Sequence, residues 1–182
     1  MTRTAVGTHE NWLDPDDLAV ARRRLPILYV NAVPVRVDDL GCVTSVGLLL
    51  RSTAEGQINR EVVAGRVLYH ERVRDALHRH IDKDLGPMAL PQLPPSPVPL
   101  TVAEYFPTPG VTAYHDPRQH AVALVFVVPV AGDCAPQQDA LDLVWLEPAD
   151  AASDSVQSEM RGGHGVVLRQ ALANLGFPPA QT

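Results

Sequence analysis

Residues 65–87 read GRVLYHERVRDALHRHIDKDLGP, and the reading of this stretch decides the fold. Val73, Leu77 and Ile81 recur at a spacing of four, the apolar stripe of an amphipathic helix, which the pattern predicts over roughly 72–84. Gly86-Pro87 stops it, because glycine accepts the left-handed conformation at a helix end and proline cannot continue the helix. Ala76, His80 and Asp84 form a second line about 100° round the same helix, so His80 and Asp84 are neighbours on one face. A histidine and an aspartate so placed can share one divalent cation, with imidazole nitrogen and carboxylate oxygen as donors. They can equally form a plain hydrogen bond or ion pair with each other.

Working outward from this helix, the preceding segment reads as β. Ile27–Val37 and Cys42–Arg51 are rich in Ile, Val and Leu and flank the turn Asp38-Asp39-Leu40-Gly41, which predicts a hairpin. A short strand is expected at Asn59–Val63. Earlier still, Asp14-Pro15-Asp16-Asp17 opens a helix whose C-terminal end carries Arg22, Arg23 and Arg24, with Pro26 as its stop. That arginine run reads as a solvated helix end or as an anion or partner contact. Downstream, residues 87–99 carry six prolines and read as a stiff surface connection. Strands are expected at Leu100–Phe106, at His120–Val130 (apolar enough to be covered on both faces) and at Leu141–Leu146. A short helix at 148–152, a polar irregular stretch to Gly163 and a final helix over His164–Leu175 complete the order. The layout implies an α/β (α+β) fold with a mixed β-sheet sandwiched between helices. Residues 1–24 are read as a tail and helix, 25–176 as a single domain and 177–182 as a second tail.

At this point the residues resemble the Nudix box, G-x5-E-x7-R-E-U-x-E-E-x-G-U with U apolar. Gly65, Glu71, Arg79, Ile81 and Gly86 fall in register, and the element order over roughly 25–176 resembles the Nudix fold as well. The resemblance implies an ion pair between Glu71 and Arg79 that braces the loop against the helix, with Gly65 and Gly86 shaping the flanking turns. It also implies a metal site, usually magnesium, held by the three glutamates of R-E-U-x-E-E. Those positions are His80, Lys83 and Asp84 here, so only one carboxylate survives. Lys83 has no lone pair when protonated and cannot be a ligand. Magnesium wants hard oxygen donors, so tight magnesium binding of the family kind is not expected. The open choices are manganese, zinc or magnesium on His80 and Asp84 with Glu71 completing the shell, or no metal at all, with Lys83 holding a phosphate directly.

Further candidates lie outside the helix. Nudix proteins often bind their diphosphate ligand with cations near the hairpin and box, where Arg36, Arg51 and Arg66 lie here. His115 and Arg118 sit in a loop able to contact an anionic ligand. Some members take the catalytic base from a late loop, where Glu159 is the candidate. Tyr69, Tyr105, Phe106 and Tyr114 can stack on a planar group or pack in the core.

Composition bounds the function. The 182 residues carry a net charge of −6, against a protein that grips a nucleic acid backbone but not against a small phosphorylated ligand. Met1–Glu10 has no apolar core like that of a secretory signal, and the longest apolar run, Ala121–Ala131, is short of the roughly 20 residues that span a bilayer. Cys42 and Cys134 read as free thiols of a cytoplasmic protein. A homodimer is expected on base rate alone. The departures in the box favour a catalytically degenerate Nudix-like domain that binds a phosphorylated or nucleotide-type small molecule, or a partner. The alternative is an atypical metal-dependent hydrolase of a diphosphate linkage.

Overall fold

A computed structural model describes residues 13–53, 55–137 and 139–177. Residues 1–12 of the tail and helix expected at 1–24 lie outside the described residues, as do residues 178–182 of the tail expected at 177–182. Phe177, read as the start of a tail, donates its N–H to Leu172 O at 2.8 Å and packs against the core.

Helix α1 (Pro15–Arg24) opens as its sequence demands. The Asp14 carboxylate accepts from the N–H groups of Asp16 and Asp17 at 2.9 and 2.8 Å. β1 (Ile27–Val37) and β2 (Val43–Ser52) form the antiparallel hairpin. β3 (Ile58–Glu61) and β4 (Val63–Arg66) follow, then α2 (Val73–Leu85). β5 (Thr101–Tyr105) and β6 (Ala121–Pro129) form a second antiparallel pair, and β6 lies parallel to β1. β7 (Ala140–Leu146) pairs with β2. Three helices close the described chain: α3 (Pro148–Ala151), α4 (Asp154–Ser158) and α5 (His164–Asn174). The sheet is seven-stranded and mixed. Its parallel contact exists because α2 and the proline-rich stretch supply the long crossover that parallel strands need. That stretch runs beside the end of β6, where Gln92 N–H donates to Pro129 O at 2.8 Å.

The sheet forks at its centre. β6 occupies one edge of β1 over Ile27–Val35. The other edge pairs with β2 only at Val35–Val37 and with β4 at Tyr29–Ala32. β2 likewise leaves β1 and takes β3 as partner at Leu49–Ser52. β3 and β4 therefore fill the gap between diverging strands. The sequence reading ran them together as one strand and missed β4, because Ala64-Gly65-Arg66 has no strand signature of its own; the edge of β1 makes it a strand. α4 also replaces the irregular stretch expected there, with Ser153 accepting from Val156 N–H as its cap.

Strand alternation divides the core. Val30, Ala32, Leu49 and Phe126 face α2, which buries Ala76, Leu77, Ile81 and Leu85 against them. Val33, Val46, Leu48 and Val125 face the other way, against Val167, Leu168, Ala171 and Leu172 of α5. Each fully buried Leu or Ile contributes on the order of 1.5–3 kcal/mol. Both cysteines are free, and no helix among the described residues is long and apolar enough to cross a membrane.

Candidate functional site

The fork brings α2, β2, β3 and β4 to one place. Arg79 grips Glu71 with both arms, Nε to Oε1 at 2.7 Å and Nη2 to Oε2 at 2.8 Å. The same carboxylate accepts Leu68 N–H at 2.9 Å, and Arg79 also donates to Arg66 O at 2.8 Å. Burial works to raise the Glu71 pKa, but Arg79 and the Leu68 N–H hold it below the ordinary value. This pair ties the loop before α2 to the helix.

One turn on, His80 lies flat against β4. A Cβ at Gly65 would overlap the imidazole ring, so this position requires glycine. His80 Nε2 is 2.9 Å from Arg66 O and must carry the proton to bond a carbonyl. Nδ1 is then the bare nitrogen, buried and without a partner. Burial, chiefly, lowers the His80 pKa and keeps the ring neutral.

Asp84 is only 1% exposed. Arg51 of β2 places Nη2 at 2.9 Å from Asp84 Oδ1 and Nε at 3.3 Å from Glu61 Oε2 of β3. The contact to Asp84 is a charge contact rather than an aligned hydrogen bond, and neither Asp84 oxygen accepts one. Arg51, expected among the ligand cations, is thus turned inward and shared between two carboxylates. Lys83 is half-buried on the same helix; the cation against Asp84 is Arg51.

The donor set does not fit the magnesium that the fold family implies. His80 and Asp84 are adjacent, but Glu71, expected to complete their shell, is taken by Arg79 and Leu68. Among the described residues no group of three His, Cys, Asp or Glu side chains could hold a metal ion. The one carboxylate left at the three metal positions of the box, Asp84, faces a guanidinium, which repels a divalent ion. Glu159, expected as a late-loop base, is bonded to Arg60 Nε at 2.6 Å and is 44% exposed, so it is already paired. Gly86 ends α2 at φ +89°, a left-handed backbone that favours glycine. The Arg66 guanidinium lines a hollow between α1 and the loop after β4, and burial lowers its pKa.

The opposite face of β4 is open. There a cleft of about 250 Å³ has Ala64, Ala121 and Ala123 among its lining, beside Tyr29, Asn31 and Tyr105. His115, Arg118 and His164 also line it. Arg118 chelates Asp116 at 2.8 and 2.9 Å. Gln119 donates to Tyr29 Oη at 2.8 Å and to Asp116 Oδ2 at 2.9 Å. Asn31 donates to Tyr105 Oη at 3.1 Å, and burial pushes the Tyr105 pKa up to about 12. His164 Nδ1 accepts Val62 N–H at 3.2 Å, so Nε2 is the protonated nitrogen. Burial lowers the His164 pKa, Glu61 opposing and Arg51 assisting.

Of these groups, sequence reasoning reached His115, Arg118 and Tyr105 and missed Glu61, His164, Asn31 and Gln119. One signal was present. Tyr29 and Asn31 put polar groups at alternate positions of an apolar strand, and Ala121 and Ala123 are small residues at alternate positions of another.

Known proteins are similar to this chain in sequence or fold. The family DUF4916, described as a domain of unknown function, matches residues 8–177. A protein from Jonesia denitrificans, named a possible asymmetric diadenosine tetraphosphate hydrolase, is 59% identical; 87% of this chain and 99% of that one superpose with a TM-score of 0.84. The Nudix domain of Shewanella oneidensis NrtR, solved with ADP-ribose, is 18% identical with a TM-score of 0.60 over 90% and 94% of the two chains. A Caenorhabditis elegans diadenosine tetraphosphate hydrolase is 14% identical with a TM-score of 0.58 over 82% and 98%. No curated protein matches the chain. The forked sheet, the helix after β4 and the breadth of these matches lead to one assignment: the chain belongs to the DUF4916 family and is built on the Nudix fold.

Proposed function

We propose that this chain binds a nucleotide-type phosphorylated small molecule without metal-driven hydrolysis. The cleft lined by Tyr29, Tyr105, His115 and His164 is the binding site in this reading, and the box is its scaffold. The observation that carries it is Arg51, whose guanidinium lies 2.9 Å from Asp84, the one carboxylate left at the metal positions. A fixed internal cation removes both the charge and the room a divalent ion would need. Two tyrosines and two histidines in a cleft of this size suit a planar heterocycle, by stacking and by hydrogen bonds to its edge.

A second reading is metal-dependent hydrolysis of a dinucleoside polyphosphate. It is supported by the name of the 59% identical protein. It is supported too by His80 Nδ1 and the Asp84 oxygens, buried lone-pair atoms that accept no hydrogen bond.

One experiment separates the readings. Diadenosine tetraphosphate and ADP-ribose are titrated calorimetrically in EDTA, and phosphate release is followed with magnesium, manganese and zinc in parallel. Binding in EDTA with no turnover is the expected result. Metal-dependent cleavage that disappears in Asp84→Asn, with the fold intact by circular dichroism, would replace the first reading by the second.

A further inference from the structure

We propose that the groove between the C-terminal end of α1 and the loop before β6 binds a short polyphosphate chain. This groove, of about 520 Å³, is lined by Arg22, Arg23, Arg24, Arg118 and His120, and no carboxylate is among its lining residues. The chain as a whole is acidic, with 15 lysines and arginines and a net charge of −6, so this collection runs against the sign of the molecule. A groove of one sign concentrates the field and attracts small anions locally.

The arginines are not consumed by the fold. Arg118 alone is neutralised, by Asp116. Arg22 donates to the neutral amide oxygen of Gln119 at 2.9 Å and keeps its full charge. Arg23 and Arg24 are exposed, with no acceptor among the described residues. The helix dipole offers about −0.5 charge at this end, which offsets only a fraction of three uncompensated guanidinium groups. His120 adds an independent sign. Its ring stacks on Phe106 at 4.5 Å and 19°, and its Nε2 is buried without a hydrogen-bond partner.

The chemistry selects the ligand. Guanidinium groups bind phosphate oxygens in pairs, so several arginines in a row match several phosphates in a row. A single orthophosphate engages too few of them. A long nucleic acid backbone would meet the repulsion of an acidic protein beyond the groove. The groove shares Arg118 and Gln119 with the cleft. Its use as the phosphate subsite of a nucleotide therefore rests on the function proposed above, whereas polyphosphate binding itself does not.

Calorimetry on the full chain, at low salt and without metal, tests this with sodium tripolyphosphate, orthophosphate and diadenosine tetraphosphate. Tripolyphosphate binds the wild type much more tightly than orthophosphate. The double variant Arg23→Gln/Arg24→Gln weakens it roughly tenfold or more, as expected for two charge-assisted contacts, with an unchanged melting temperature because both side chains are exposed. Arg72→Gln, which removes an exposed charge at the N-cap of α2, leaves it intact. If the double variant also loses diadenosine tetraphosphate, the groove is the phosphate subsite of a nucleotide; if it keeps it, the groove takes free polyphosphate. No tripolyphosphate binding, an unchanged affinity in the double variant, or an equal loss in Arg72→Gln overturns the proposal.

Discussion

The two faces of β4 use polar residues in opposite ways. On the α2 side, Arg79–Glu71 and Arg51–Asp84 are ion pairs built into the packing, and His80 fills the space that Gly65 leaves. On the other side, alanines leave a cleft bordered by tyrosines, histidines and a loop arginine. In the function proposed above, the conspicuous motif is scaffold and the open face is the working surface. Charges that satisfy one another in a dry site hold a fold together, while polar groups beside open volume remain available to a ligand.

Breaking the closed side has the largest effect. Arg51→Met leaves Asp84 buried without its counter-charge and costs about 3 kcal/mol in urea melts, the lower end for stranding one partner of a buried pair. Stability near wild type would show that Asp84 does not depend on Arg51 and would reopen the box to a metal. Glu71→Ala removes the counter-charge of Arg79 and costs about 2 kcal/mol by the same measurement, as for loss of a charged hydrogen-bond partner; a wild-type curve would remove the brace from the account. Gly65→Ala forces His80 off β4 and costs about 1.5 kcal/mol, an overpacking penalty. An alanine tolerated without loss would mean that the ring has room to move.

The open side sharpens the comparison from below. Tyr105→Phe removes the hydroxyl that accepts from Asn31 and costs about 1 kcal/mol at most. Nucleotide affinity should fall several-fold in the same variant, and an unchanged Kd would take the ligand out of this cleft. The gentlest perturbation is pH. His80 and His164 have folded pKa values held below the ordinary 6.5 by burial. The unfolded chain then binds more protons as pH drops below about 6.5, so stability declines from there downward and is flat above it. Rising stability on acidification to pH 5.5 would contradict the neutral placement of both rings.

Asp84 is buried beside Arg51, so Asp84→Ala takes from Arg51 one of its two carboxylate partners. Spacing along α2 places His80 and Asp84 on one face but says nothing about what β2 brings opposite them.

The stripe Val73-Leu77-Ile81, the cap at Asp14, the hairpin and the apolar β6 were legible in the chain because each rests on local periodicity or turn chemistry. The mixed sheet and the Nudix resemblance follow from their order and from the register of Gly65, Glu71 and Arg79. The fork of β1 and β2, the strand β4 within it and the turning inward of Arg51 were decided only in three dimensions. They join residues far apart in sequence, and an arginine in a strand looks the same whether it faces water or a buried carboxylate. What the sequence determined alone is which segments fold and in what order; which charges cancel and which stay open depended on the packing that brought them together.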